Sequence, residues 1–149
     1  MTKQQLKDEL KQAMLSRDVV KTSVLRMALS AVGYLEIKKG SGYEASEEEV
    51  LAVIQKEVKQ HKDSIEQFGN AGRQELMDKE IRELEILQTY VPAQMSEDEV
   101  RILVEEVVKE TGAINSADMG KVMGVLMGKV KGKADGSFVS KLVREALVQ

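Results

Sequence analysis

The chain has 149 residues, 42% of them hydrophobic, with 22 Lys and Arg against 25 Asp and Glu for a net charge of −3. That length buries one ordinary core or two small ones. There is no cysteine and one histidine, His61, which excludes disulfides, thiol catalysis, cysteine-ligated zinc or iron–sulfur centres and any multi-histidine metal site.

Helical punctuation begins at once. Thr2-x-x-Gln5, Ser46-x-x-Glu49 and Ser96-x-x-Glu99 each fit a capping box, in which a hydroxyl caps an amide and a later side chain reaches back. The pattern predicts helices over about 2–16, 18–39, 46–68 and 71–90, with the Gly40-Ser41-Gly42 turn between the second and third. Val20, Val24, Met27, Ala31 and Leu35 share a face of the second, and Val50, Ile54, Val58, Ile65 and Phe68 a face of the third. Between the third and fourth, Phe68-Gly69-Asn70-Ala71-Gly72-Arg73 reads as a hairpin turn, with helix termination near Gly69 and Asn70 capping the successor.

The lone proline, Pro92, ends the fourth helix and opens a short linker before the Ser96 cap. We place the domain boundary there, giving 1–92 and 93–149. Three helices follow, over 96–111, 116–130 and 137–148. Val100, Leu103, Val104, Val107 and Val108 form the face of the first, and Phe138, Val139, Leu142, Val143 and Ala146 that of the last. No comparable period-two run occurs, so the chain reads as all-α: two helical lobes, four helices and then a three-helix bundle.

The most informative stretch is Met119–Gly136, with glycine at Gly120, Gly124, Gly128, Gly132 and Gly136. Glycine inside a helix costs roughly 1 kcal/mol relative to alanine, so a run of them needs a reason. A membrane dimer motif needs about 20 apolar residues, and lysines recur here too soon. A nucleotide phosphate loop needs four residues between its glycines and Ser or Thr after Lys, and neither condition is met. Two compatible readings remain: close packing of the helix inside the bundle, or a smooth surface laid against a partner's backbone. Met119, Met123, Leu126 and Val130 form the apolar strip beside the stripe. Further on, Gly132 suits the left-handed residue that ends a helix and Asp135 the cap of the next.

Charge is unevenly placed. Residues 96–118 hold seven acids against two bases, while residues 119–149 hold six bases against two acids. Lys121, Lys129, Lys131, Lys133, Lys141 and Arg144 thus surround the glycine ladder. Helix amino termini and lysine-bearing turns attract phosphate, and a solvated turn with ordinary surface lysines is the plainer alternative. With two Phe, three Tyr and no Trp, little is left for base stacking, so any nucleic-acid contact falls on backbone and shape.

Catalytic chemistry is not visible. His61, near the apolar face of its helix, has no second histidine or nucleophile beside it and reads as a boundary histidine. Ser23, Ser30, Ser64 and Ser137 sit in no nucleophile motif. Acid pairs such as Asp78 with Glu80 read as solvated faces. No catalytic, metal or cofactor residues are therefore expected. The MTKQQLKDEL start has no apolar core of a secretory signal, and no later stretch is suited to span a bilayer, so a cytoplasmic protein without membrane association is expected.

Three segments carry a resemblance: Asp63-Ser64-Ile65-Glu66-Gln67-Phe68 with Ala71-Gly72-Arg73, Tyr90-Val91-Pro92-Ala93-Gln94-Met95-Ser96-Glu97, and Asp118 through Gly124 with Lys131 through Gly136. Over essentially its whole length the chain resembles the GatB/YqeY family, the small freestanding YqeY proteins in particular. The resemblance implies two helical lobes, the second similar to the tail of the B subunit of the tRNA-dependent amidotransferase, which engages the tRNA body. A similar module extends some glutaminyl-tRNA synthetases. It carries onto Gly120, Lys121, Gly124, Lys131, Gly132, Lys133, Asp135 and Gly136, with Lys133 standing where arginine is frequent. The chain is too short for the amidotransferase's catalytic cradle, so the family label of carbon–nitrogen ligase with glutamine as amido-N-donor reads as broader than this chain. The expectation is a non-catalytic tRNA-binding accessory. The alternative is an interaction module that docks on an aminoacyl-tRNA synthetase or amidotransferase.

Overall fold

In a computed structural model, residues 1–148 are described, and among them lie seven α-helices, one 3-10 turn and no strand. The chain divides into two compact units, Met1–Val91 and Pro92–Gln149, and each has its own core.

The first unit holds α1 (Lys3–Leu15), α2 (Val19–Lys39), α3 (Glu47–Asn70) and α4 (Gln74–Gln88). Both expected capping boxes form, at Thr2 with Gln5 and at Ser46 with Glu49. α3 and α4 make a tight helical hairpin, and α2 packs against both as well as against α1. The core is built from Leu6 and Ala13 of α1, Val24, Leu25 and Val32 of α2, Val50, Ile54 and Val58 of α3, and Leu87 of α4.

Two expectations are corrected here. The buried face of α2 is Val24, Leu25, Ala28, Val32 and Glu36, while Met27 is 51% exposed. At 100° per residue that face is rotated by roughly a quarter turn from the Val20–Leu35 row. The cause is that α2 is apolar nearly all round, with Val19, Tyr34 and Ile37 exposed, so its pattern has no sharp direction. Asn70, for its part, ends α3 rather than capping α4. Ala71 is the C-cap, and Gly72 takes the left-handed backbone at φ 68° that needs no Cβ. Arg73 then donates its amide to the Phe68 carbonyl at 2.9 Å, and α4 starts at Gln74 with no side-chain cap.

The second unit holds α5 (Glu97–Thr111), α6 (Met119–Val130) and α7 (Gly136–Leu147). Ser96 and Glu99 form the third capping box. The helix expected over 116–130 starts as a 3-10 turn at Ser116–Asp118, because Asp118 folds its carboxylate back to accept from Ile114 N at 2.9 Å. Val100, Val104 and Val107 of α5, Val122, Leu126 and Val130 of α6, and Val139, Leu142, Val143 and Leu147 of α7 close the core. Each such fully buried aliphatic side chain contributes about 1.5–3 kcal/mol. No helix among the described residues is long and apolar enough to cross a membrane.

Candidate nucleic-acid interface

α6 positions the glycine stripe. Its core side is Val122, Leu126 and Val130, and 100° stepping puts Gly120, Gly124 and Gly128 on the opposite side. All three are exposed. A Cβ built on any of them meets nothing within 4 Å. Close packing inside the bundle, one of the two readings of the ladder, is thereby corrected: the glycines face open space and serve no internal contact. Three exposed glycines cost the helix about 3 kcal/mol relative to alanine. Lys121 lies beside the stripe on the same open side.

The ladder changes character at its end. Gly132 takes the left-handed backbone, φ 74°, in the turn after α6, and Gly136 is the first residue of α7. The turn between them is held from below. Lys133 N donates to Val130 O at 2.8 Å, Met95 N donates to Lys133 O at 2.8 Å, and the Gln94 side-chain amide donates to Gly132 O at 2.9 Å. With two of its carbonyls bonded to the 94–95 segment, the turn has a fixed backbone, and Lys131 and Lys133 are both exposed. Two of the three sequence segments that carried the resemblance therefore meet in one place. Sequence reading missed Gln94 and Met95 as parts of this site, because their partners lie 38 residues away.

Asp135 accepts from Ser137 N at 2.9 Å and caps α7. Its carboxylate thus occupies the amino terminus of α7, where the helix dipole favours negative charge. Of the remaining cations, Lys129 is exposed but bound to Glu110 of α5 at 2.9 Å. Lys141 and Arg144 are exposed on α7, three residues apart and so on one face. Lys121 stands two turns, about 12 Å, back along α6 from Lys129. Beneath them α5 carries most of the acid, so the unit has an acidic helix and a basic pair. At the start of α6, the Ile114 and Asn115 amides hold the Asp118 carboxyl below its ordinary value, with Lys121 adding to the effect.

These features define a two-unit all-α protein whose carboxy-terminal bundle presents a bare-backbone helix face and a braced, lysine-bearing turn. The chain belongs to the YqeY-like protein family, whose pattern it matches over residues 3–147. It is 31% identical over 148 residues to a protein of Pyrenophora tritici-repentis named altered inheritance of mitochondria protein 41, mitochondrial, a match covering 95% of this chain and 78% of that one. Proteins of the same name from Vanderwaltozyma polyspora and Saccharomyces cerevisiae strain YJM789 are each 36% identical over 86 residues, 58% of this chain and 46% of theirs. The chain thus matches a little less than half the length of those two relatives.

Proposed function

We propose that this protein is a non-catalytic accessory that binds tRNA through its carboxy-terminal bundle. The observation that carries the reading is the exposed glycine stripe. Three helix-weakening residues on a solvent face have no internal use, and a rigid polyanion backbone is a partner that needs such close approach. Lys121 lies on that side of α6, Lys131 and Lys133 are exposed in the turn that follows it, Lys141 and Arg144 share an exposed face of α7, and the Gln94 and Met95 contacts fix the turn that carries two of these lysines. The similarity of this family to the amidotransferase B-subunit tail supports tRNA over other polyanions.

With about four phosphate contacts, log affinity falls with log salt at a slope of about −3. Titration of tRNA at two ionic strengths measures it. The expected result is salt-dependent binding that Lys131→Glu with Lys133→Glu abolishes; no binding at low salt, or no loss in the double variant, sinks the proposal.

A second reading rests on a different surface. Met14, Leu15, Val19, Met27, Tyr34 and Ile37 are large apolar side chains exposed on α1 and α2, and such exposure supports docking on a synthetase or amidotransferase. It predicts a protein partner retained in a pull-down after nuclease treatment, and a partner list emptied by nuclease counts against it.

A further inference from the structure

The one histidine of the chain is not at a boundary. His61 is 7% exposed and extends the buried row Val50, Ile54, Val58 along α3. Facing it on α4 are Glu80 and Glu83, three residues apart and so on one side of that helix. The His61 imidazole Nδ1 lies 2.6 Å from Glu80 Oε2 and 3.8 Å from Glu83 Oε2. Glu83 is only 5% exposed, and neither of its close charged neighbours reaches hydrogen-bond distance: His61 Nδ1 and Lys79 Nζ both stand 3.8 Å away.

We propose that His61, Glu80 and Glu83 form a binding site for a divalent transition cation, with zinc the best-suited ion. The three donor atoms lie within 4.8 Å of one another. Bonds of about 2.0–2.1 Å at the tetrahedral angle put ligand atoms about 3.3 Å apart, between the two separations seen, so small rotations of the glutamates suffice. One imidazole nitrogen with two carboxylates and no thiolate suits zinc over softer ions, and leaves a fourth position for water. The ion would take the place of the direct contact between His61 Nδ1 and Glu80. It would neutralise Glu83 and clamp α3 to α4 across their hairpin. None of the three residues belongs to the basic bundle, so tRNA binding and zinc binding stand or fall separately.

Because His61 is the only histidine, its imidazole reports on the site without ambiguity. Zinc titrated into the ¹⁵N-labelled full chain is expected to move the His61 ring nitrogens to metal-bound positions at one equivalent and to raise the unfolding temperature. Glu83→Gln, nearly isosteric, is expected to weaken zinc binding at least about tenfold, the loss typical of even an outer partner of a metal ligand. Should that variant fail to fold, the His61 signal of the unaltered chain decides alone. Zinc that leaves the His61 ring unmoved, binding adventitiously to surface acids only, overturns the proposal. So does unchanged affinity in a folded Glu80→Gln, Glu83→Gln chain.

Discussion

The side-chain amide of Gln94 reaches 2.9 Å to the carbonyl of Gly132, while its own backbone neighbour Met95 bonds the carbonyl of Lys133 at 2.8 Å. The stretch leading into α5 therefore braces the turn leading out of α6. Gly132 makes this possible, since its left-handed backbone turns the chain after Lys131 with no Cβ to strain.

Removing the Gln94 amide tests the brace. Gln94→Ala loses two solvent-exposed hydrogen bonds, to the carbonyls of Gly132 and Pro92, and should cost about 1 kcal/mol. The informative reading is local. Hydrogen exchange at the Met95 amide is expected to quicken in the variant while amides in the middle of α5 stay as protected as before. Unchanged exchange at Met95 would mean that the backbone contact holds the turn without Gln94.

Gly124→Ala separates the cost of the glycine stripe from its use. The added methyl meets nothing within 4 Å, so the variant should gain about 1 kcal/mol of helix stability. Thermal unfolding should shift upward by about 4–8 °C for a unit of this size. If the stripe serves a partner backbone, the same variant binds tRNA more weakly although it is more stable. A more stable protein with undiminished binding would remove the stripe from the interface.

Much of this was legible in the chain because its signals were local. The capping boxes at Thr2, Ser46 and Ser96 each involve residues three apart, and all three form. Gly132 and Asp135 were readable for the same reason: a left-handed stop and an N-cap are written in two or three neighbouring residues. What failed was direction. α2 is apolar on nearly every side, so its pattern did not say which face the core would take. The glycine period was equally silent on whether the stripe faced in or out. Val122, absent from the expected apolar strip, is fully buried and was the missing pointer. The His61, Glu80 and Glu83 cluster was beyond local reading, since it depends on how far α3 runs before the Gly72 turn sets its register against α4. Glu80, expected on a solvated face, is instead half-buried against the histidine.

Arg17 is the one non-glycine residue among those described with a left-handed backbone, φ 57°. It sits between α1 and α2, where Asp18 N donates to Ala13 O at 2.9 Å and Ser16 N to Gln12 O at 2.9 Å. The position is one that glycine normally fills after a helix, and a side chain there costs about 1–2 kcal/mol. Arg17→Gly relieves that strain but loosens the unfolded chain, so a net gain of about 1 kcal/mol or less is expected. Urea denaturation of the two proteins measures it. A loss of stability would show that the arginine side chain contributes more than its backbone costs.

Glu49 sets the acid limit of the first unit. Its carboxylate is bound by the Lys39 ammonium, accepts from Ser46 N at 2.9 Å, and accepts from the Tyr43 hydroxyl at 2.8 Å. Lys39 first, then the Ser46 amide and Tyr43, hold the carboxyl at about 2 against an ordinary 4.5. The folded chain thus gives up this proton more readily than the unfolded one. The stability it supplies is present in full above about 4.5 and is lost as pH falls through about 2, because the unfolded state binds the extra proton across that window. Glu9, Glu36, Glu99 and Asp118 are also lowered and act with the same sign, so the whole protein's acid dependence does not isolate Glu49. The difference between the unaltered chain and Glu49→Gln does. Urea midpoints of the two proteins should converge as pH falls through the window and stay separated by a constant amount above it. The separation should also shrink in high salt, since the pair is solvent-exposed and screened. Parallel midpoints down to the lowest pH would mean that Lys39 and Glu49 do not hold this geometry in solution.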